Sequence, residues 1–179
     1  MTITLDRPTT ETAPVPAAEA QPATGGLTIF LSSGDLEKVW ASLILSTTAA
    51  ALGKPVTIFF TFWGLFPLVR NEKGITGQVW MQKMLSVMNR GGTSHLPLSK
   101  LNFMGAGPAM MRSLAKSHQV ASPEELLEMA KDLGVKLVPC QMTMDLMGLA
   151  REDLIDGIEE PAGAATALAA AEGATTLFI

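Results

Sequence analysis

The chain of 179 residues has a single cysteine, Cys140, so it has no second thiol with which to close an intrachain disulfide. That excludes a disulfide framework and makes a reducing cytoplasm the natural compartment. Concentrated positive charge is also missing. Thirteen basic residues face seventeen acidic ones for a net charge of −4, and no Lys/Arg cluster exceeds a pair, so a nucleic-acid partner is disfavoured. The start of the chain has neither the basic segment nor the apolar stretch of about 7 to 15 residues that marks a secretory signal. Nor does an uninterrupted apolar run reach the roughly 20 residues of a spanning helix. The most apolar stretch, 41–69, is divided at Gly53, Lys54 and Pro55. A buried helix followed by a buried strand is the simpler reading of it, with peripheral membrane contact through Trp63, Leu65 and Phe66 as the alternative.

What is present suits one globular domain, since 47% of the residues are apolar and only 17% charged. Residues 1–26 are rich in Thr, Pro and Ala and carry Pro8, Pro14, Pro16 and Pro22, which reads as a disordered leader before a domain spanning 27–179. Within that domain, helical and extended patterns alternate. LTIFL (27–31) and PVTIFFT (55–61) are continuous apolar runs of the kind buried on both faces of a parallel sheet. Between them a helix starts after Asp35 and closes at Gly53. A helical pattern covers 76–89, KLNFM (100–104) reads as a weak strand, and a helix follows from Pro108. Ser122, Pro123 and Glu125 form a capping box for a helix ending at Gly134. VKLVP (135–139) is a strand, QMTMDLM (141–147) a short helix stopped by Gly148, 161–172 an Ala-rich helix and TTLFI (175–179) a last strand. The sum is an α/β fold: one open, mostly parallel sheet flanked by helices in a Rossmann-like, three-layer arrangement.

Open sheets of this kind bind ligands outside the carboxyl ends of their strands. Four loops meet that condition and are expected to share one rim: Ser32-Ser33-Gly34, Phe62-Trp63-Gly64, Gly105-Ala106-Gly107, and Cys140. A cysteine between a strand end and a helix start faces backbone N–H groups and the positive end of a helix dipole, which favour a thiolate nucleophile. The competing reading is a small apolar core residue, because free cysteine is among the most buried residue types.

Several separated stretches, GVKLVPCQMTMDLMGLAREDLIDGIE, FFTFWGL, LPLSKLNFMGAGPAMMRSL and TTLFI, resemble the DsrE/DsrF-like family, in the branch described as peroxiredoxin-like or as DsrE-type sulfur carriers. The likeness runs from about Leu27 to Ile179 and is most specific at Cys140, Gln141, Met142, Met144, Asp145, Met147 and Gly148. It implies homo-oligomers and a persulfide held on Cys140. The implied exchange partners are rhodanese-type sulfurtransferases and small TusA-like carriers, and branch members are associated with membranes. Such a site needs no metal and no cofactor: the backbone amides of Gln141 and Met142 are the candidates to steady the charge, and Met144 and Met147 to form a polarizable wall. Trp63, Gly64, Ser33, Gly105 and Gly107 complete the expected pocket. Two other functions stay open, a thiol peroxidase-like protein and an interaction subunit with a structural cysteine.

Lesser signals have simpler explanations. Eleven methionines and one thiol could suit Cu(I), but helical spacing at Met81, Met84 and Met88 points to core filling. GAGPAM (105–110) departs from a dinucleotide fingerprint at its third glycine. His95 is a candidate proton donor or a solvated loop residue, and His118 a favourable charge at a helix end. Lys100 and Arg112 could attract an anionic sulfur donor, and Asp145 could orient a partner.

Overall fold

Alternation along each strand decides what each face of the sheet meets. In the computed structural model, which describes residues 25–70, 91–102 and 105–179, β1 (Leu27–Leu31), β2 (Val56–Phe60), β3 (Lys136–Pro139) and β4 (Thr175–Phe178) pair in the order β3-β2-β1-β4, every pair parallel. Leu27, Ile29, Leu31, Val56, Ile58, Phe60 and Leu137 point to one face. There they form the main core with Leu36, Val39, Trp40 and Leu43 of α1 (Leu36–Ala51) and Leu126, Leu127 and Ala130 of α3 (Pro123–Asp132). Each such side chain contributes roughly 1.5–3 kcal/mol on leaving water. The in-between residues Phe30, Phe59 and Val138 point to the other face, where Ala167 of α5 (Ala164–Ala171) packs. Helices on both faces explain why β1 and β2 are apolar without alternation.

Helix ends follow the local chemistry. Ser122 Oγ accepts from Glu125 N at 3.2 Å while Glu125 Oε2 accepts from Ser122 N at 2.7 Å, the reciprocal pair of a capping box. Gly53, Gly134 and Gly148 all sit at positive φ, 66° to 76°, just beyond helix ends. Inside α1 the hydroxyls of Ser42, Ser46 and Thr47 bond back to carbonyls one turn earlier at 2.7–2.8 Å, which lets three polar residues lie buried.

Two expectations change. Residues 100–102 form no strand: Leu101 turns to φ 60° and is exposed, and Asn102 O accepts from Gly105 N at 2.7 Å. The chain is therefore turning into α2 (Ala106–Ser117) where extension was expected, and residues 103 and 104 lie outside the described ones, as does the helix expected over 76–89. Residues Phe62–Leu68 instead wind as a 3₁₀ helix, all buried but Phe62 and Trp63. No described helix is long and apolar enough to cross a membrane.

Candidate functional site

The rim at the carboxyl ends of β1, β2 and β3 is held by short polar links. Gly64 N donates to Ser32 O at 3.1 Å. A Cβ on Gly64 would overlap the Leu31 carbonyl oxygen, and one on Gly34 would lie 2.7 Å from Trp63 O, so both loops approach as only glycine allows. Trp63 stacks on Phe66 with ring centroids 5.8 Å apart. With Ser33, Asp35 and His95 the pair lines a cavity of about 280 Å³. Asp35 there is paired with Lys38 at 3.1 Å and accepts from Ser33 Oγ at 2.8 Å. His95 Nδ1 lies 3.2 Å from Gly91 O, and since a carbonyl only accepts, a hydrogen bond there places the proton on Nδ1.

Cys140 ends β3 and stands at the N-cap of α4 (Gln141–Met147). Its N–H continues the ladder to Phe60 O at 2.9 Å, and its carbonyl accepts from Met144 N. One turn into α4, Thr143 is fully buried and pins the neighbouring loop: its Oγ1 accepts from Phe62 N at 3.0 Å and bonds Thr61 Oγ1 at 3.1 Å. Phe62 is held at φ 46°, sparsely populated for any residue but glycine. The loop after β2 and the cysteine's helix are thus tied together through one hydroxyl.

The thiol side chain lies on the α5 side of the sheet. It is 3% exposed and packs with Phe59, Val138 and Ala167, flanked by Phe30 and Ala162. Beside it, a cavity of about 270 Å³ is floored by Phe59, Val138, Ala162 and Ala167 and rimmed by Lys136, Glu159 and Glu160. Four of the five residues around Cys140 therefore also line an opening to solvent. The cover itself is light: α5 buries only Ala167 and is tied down by Thr28 Oγ1 donating to Ala170 O at 2.8 Å.

Three expectations about this environment are corrected. Gln141 N–H is not available to an anion, because it donates to Ala162 O at 3.0 Å. Met144 and Met147 do not wall the thiol: both are buried in the main core, in a cluster separate from that of Cys140. A helix from Gln141 sends its i+3 and i+6 positions to the core face, whereas Cys140 keeps the orientation of the strand it ends. Arg112 is engaged within the fold: it pairs with Glu124 at 3.0 Å and donates to Thr93 O, joining α2, α3 and the 93–95 turn. Burial pushes the Glu124 carboxyl up, but hydrogen bonds from its own backbone N–H, from Arg112 and from Thr93 outweigh this and hold it below its ordinary value of 4.5.

Met142 is 61% exposed, and Gln141 Nε2 donates to Asp145 Oδ1 at 2.7 Å on the outer side of α4. Gly105 and Gly107 follow a turn rather than a strand, and Gly107 packs against Leu98 and Leu101. The structure thus joins Ser33, Trp63 and Gly64 on the rim, and Thr143 links that rim to α4 behind Cys140. The residues that sequence reasoning missed are Thr143, whose hydroxyl looks ordinary in a short helix, and Phe59, Val138, Ala162 and Ala167. Strand alternation could have found Phe59 and Val138, since both share a face with Cys140.

The sequence profile described as the DsrE/DsrF/DrsH-like family matches residues 24–178. An uncharacterized protein of Bacillus subtilis, YrkE, is 43% identical over 152 residues, covering 85% of this chain and 95% of its own. The sulfur carrier protein DsrE2 of Allochromatium vinosum is 35% identical over 162 residues, covering 86% and 97%. Among solved structures, a protein of unknown function from Methanobacterium thermoautotrophicum is similar with a TM-score of 0.48 and 11% identity, over 87% of this chain and 99% of the other. With the profile running from just before β1 to the end of β4, and with two relatives matched over nearly their whole length, the chain belongs to the DsrE/DsrF/DrsH-like family.

Proposed function

We propose that this protein serves sulfur metabolism as a carrier that holds sulfane sulfur as a persulfide on Cys140 and relays it between partner proteins. The observation that carries this reading is the 35% identity, over nearly the whole length of both chains, to a protein named as a sulfur carrier. The chain supports it with one thiol, set at the carboxyl end of a parallel strand where α/β sheets present reactive groups. Loading is balanced without a cofactor. The Cys140 thiolate attacks the outer sulfur of a donor persulfide, the new S–S bond forms as the old one breaks, and the donor leaves as its thiolate. The second transfer is the same step with Cys140 as donor, to partners of the rhodanese and TusA type, in the cytoplasm. Because the thiol is 3% exposed, exchange requires α5 to lift from Phe59 and Val138, and the cavity beside Ala167 is the approach.

The test is intact mass after incubation with a sulfane-sulfur donor. Wild type gains the mass of one or more sulfur atoms, lost with dithiothreitol, and Cys140→Ser gains none; a wild type that stays unmodified overturns the reading. The burial of Cys140 favours a second reading, an interaction subunit with a structural cysteine. That reading predicts a native thiol that alkylating reagents reach only on global unfolding.

A further inference from the structure

Helix α5 covers only part of the sheet face it lies on. It is tied to β1 through Thr28 and buries Ala167 alone. Beside it the same face of β2 and β3 stays open as the cavity of about 270 Å³, although parallel sheets are normally covered on both faces. Strand register lays out its floor. Thr57 pairs with Lys136 and Phe59 with Val138, and because alternate residues share a face, Lys136, Val138 and Cys140 follow one another along one strand. The lysine and the thiol therefore stand at the two ends of a single track, four residues and roughly 13 Å apart at their Cα atoms. Between them the track is apolar.

The walls carry charge of both signs, Lys136 with Glu159 and Glu160. Among the described residues neither Lys136 nor Glu159 has an ion-pair partner, and Glu160 reaches only Arg151 Nε, at 4.0 Å. One cation and two carboxylates around an apolar floor suit a ligand with the opposite set, a carboxylate and an ammonium on a short stem. The volume falls below the roughly 300–1,000 Å³ of sites for drug-sized ligands, so that ligand is the size of an amino acid. We propose that this cavity takes a free α-amino acid persulfide as the sulfur donor to Cys140. The inference rests on the relay proposed above and names the small donor that the same thiol accepts. Lys136 pairs with the carboxylate and Glu159 and Glu160 with the ammonium, while the side chain lies over Phe59 and Val138 toward the thiol. Those two residues, with Ala162 and Ala167, both line the cavity and pack against Cys140, so a shift of Ala167 opens the floor to the donor's sulfur. The Cys140 thiolate then attacks the outer sulfur, which keeps its proton; the new S–S bond forms as the old one breaks, and the amino acid leaves as its thiolate. A donor with carboxylates and no ammonium meets two like charges at the rim.

The experiment compares three symmetric disulfides as probes of the cavity: cystine, zwitterionic in each half, cystamine, with ammonium groups only, and dithiodipropionate, with carboxylates only. Mixed-disulfide formation at Cys140 is followed by intact mass, and each rate is divided by that of the urea-unfolded chain, which removes the reagent's own reactivity. Cystine should lead both others about fivefold, the weight of one partly exposed ion pair. Lys136→Gln should erase its lead over cystamine, and the double variant Glu159→Gln, Glu160→Gln its lead over dithiodipropionate; these side chains are exposed, so the fold stays intact. Equal normalised rates, a native thiol that none of the three reaches, or a ranking that the variants leave unchanged would each overturn the proposal. Sulfur loading from a protein donor without any cystine preference strikes the small donor and leaves the relay standing, whereas a cystine preference with no sulfur loading from any donor strikes the relay, and the persulfide with it.

Discussion

Replacing Thr143 with valine keeps its shape and removes one hydroxyl, so it isolates the pin between the loop after β2 and the helix that starts at Cys140. In the native protein that oxygen serves two groups, Phe62 N at 3.0 Å and Thr61 Oγ1 at 3.1 Å, from a fully buried position. Without it both lose a partner. A buried polar group left unpaired costs about 1–3 kcal/mol. Thr61 is 9% exposed and bears most of its share, whereas Phe62, 44% exposed, regains some water. The expected loss is about 2–3 kcal/mol. With a urea m-value of about 2–3 kcal/mol/M, the unfolding midpoint should fall by about 1 M at unchanged m. Thr143→Ser keeps the oxygen and should cost only the lost methyl, about 0.8 kcal/mol. Phe62→Gly in the Thr143→Val background should recover part of the loss, because the hydrogen bond is what holds φ at 46°. A Thr143→Val protein within about 0.5 kcal/mol of wild type would refute the pin.

Three further outcomes follow from the same geometry. Ala167→Gly removes the one buried methyl of α5 and loosens the helix by about 1 kcal/mol, so native alkylation of Cys140 should speed up about fivefold; an unchanged rate means that the thiol opens some other way. Glu124, held below 4.5, contributes stability that is present above its unfolded value and lost as pH falls through the folded one. Urea titrations should therefore separate wild type from Glu124→Gln at pH 7 and narrow the gap as the pH falls below 4.5, and a gap that does not narrow at all on acidification would count against the Arg112 pairing. Gly64→Ala should cost about 2–3 kcal/mol or more, since the added methyl meets the Leu31 carbonyl and neither backbone can yield; thermal melts will show whether the rim tolerates it.

Sequence reading succeeded where one short-range rule governed. β1 and β2 follow from continuous apolar runs, β3 and β4 from short runs that begin just after a glycine helix stop, and α3 from the Ser122 to Glu125 capping box, because strand composition, helix stops and cap chemistry are all local. It failed where a residue had to choose between neighbours distant in sequence. KLNFM has strand-like composition, but β1 already has β2 and β4 as neighbours, and the segment turns at Leu101. Spacing from Cys140 put Met144 and Met147 beside the sulfur. The side chain of Cys140 follows the strand's alternation instead, and the methionines follow the helix, so the two diverge to opposite faces. The cover over the thiol, Ala167, could not be found from composition, because an Ala-rich helix carries no signal of what it packs on.

The relay itself is tested most directly by following one sulfur atom through it. Wild type loaded on Cys140, freed of donor and mixed with a TusA-like acceptor should lose the added mass as the acceptor cysteine gains it, in equal amounts, with Cys140→Ser transferring nothing. Sulfur that stays on Cys140, or that leaves only as free sulfide while the acceptor mass is unchanged, would contradict the account.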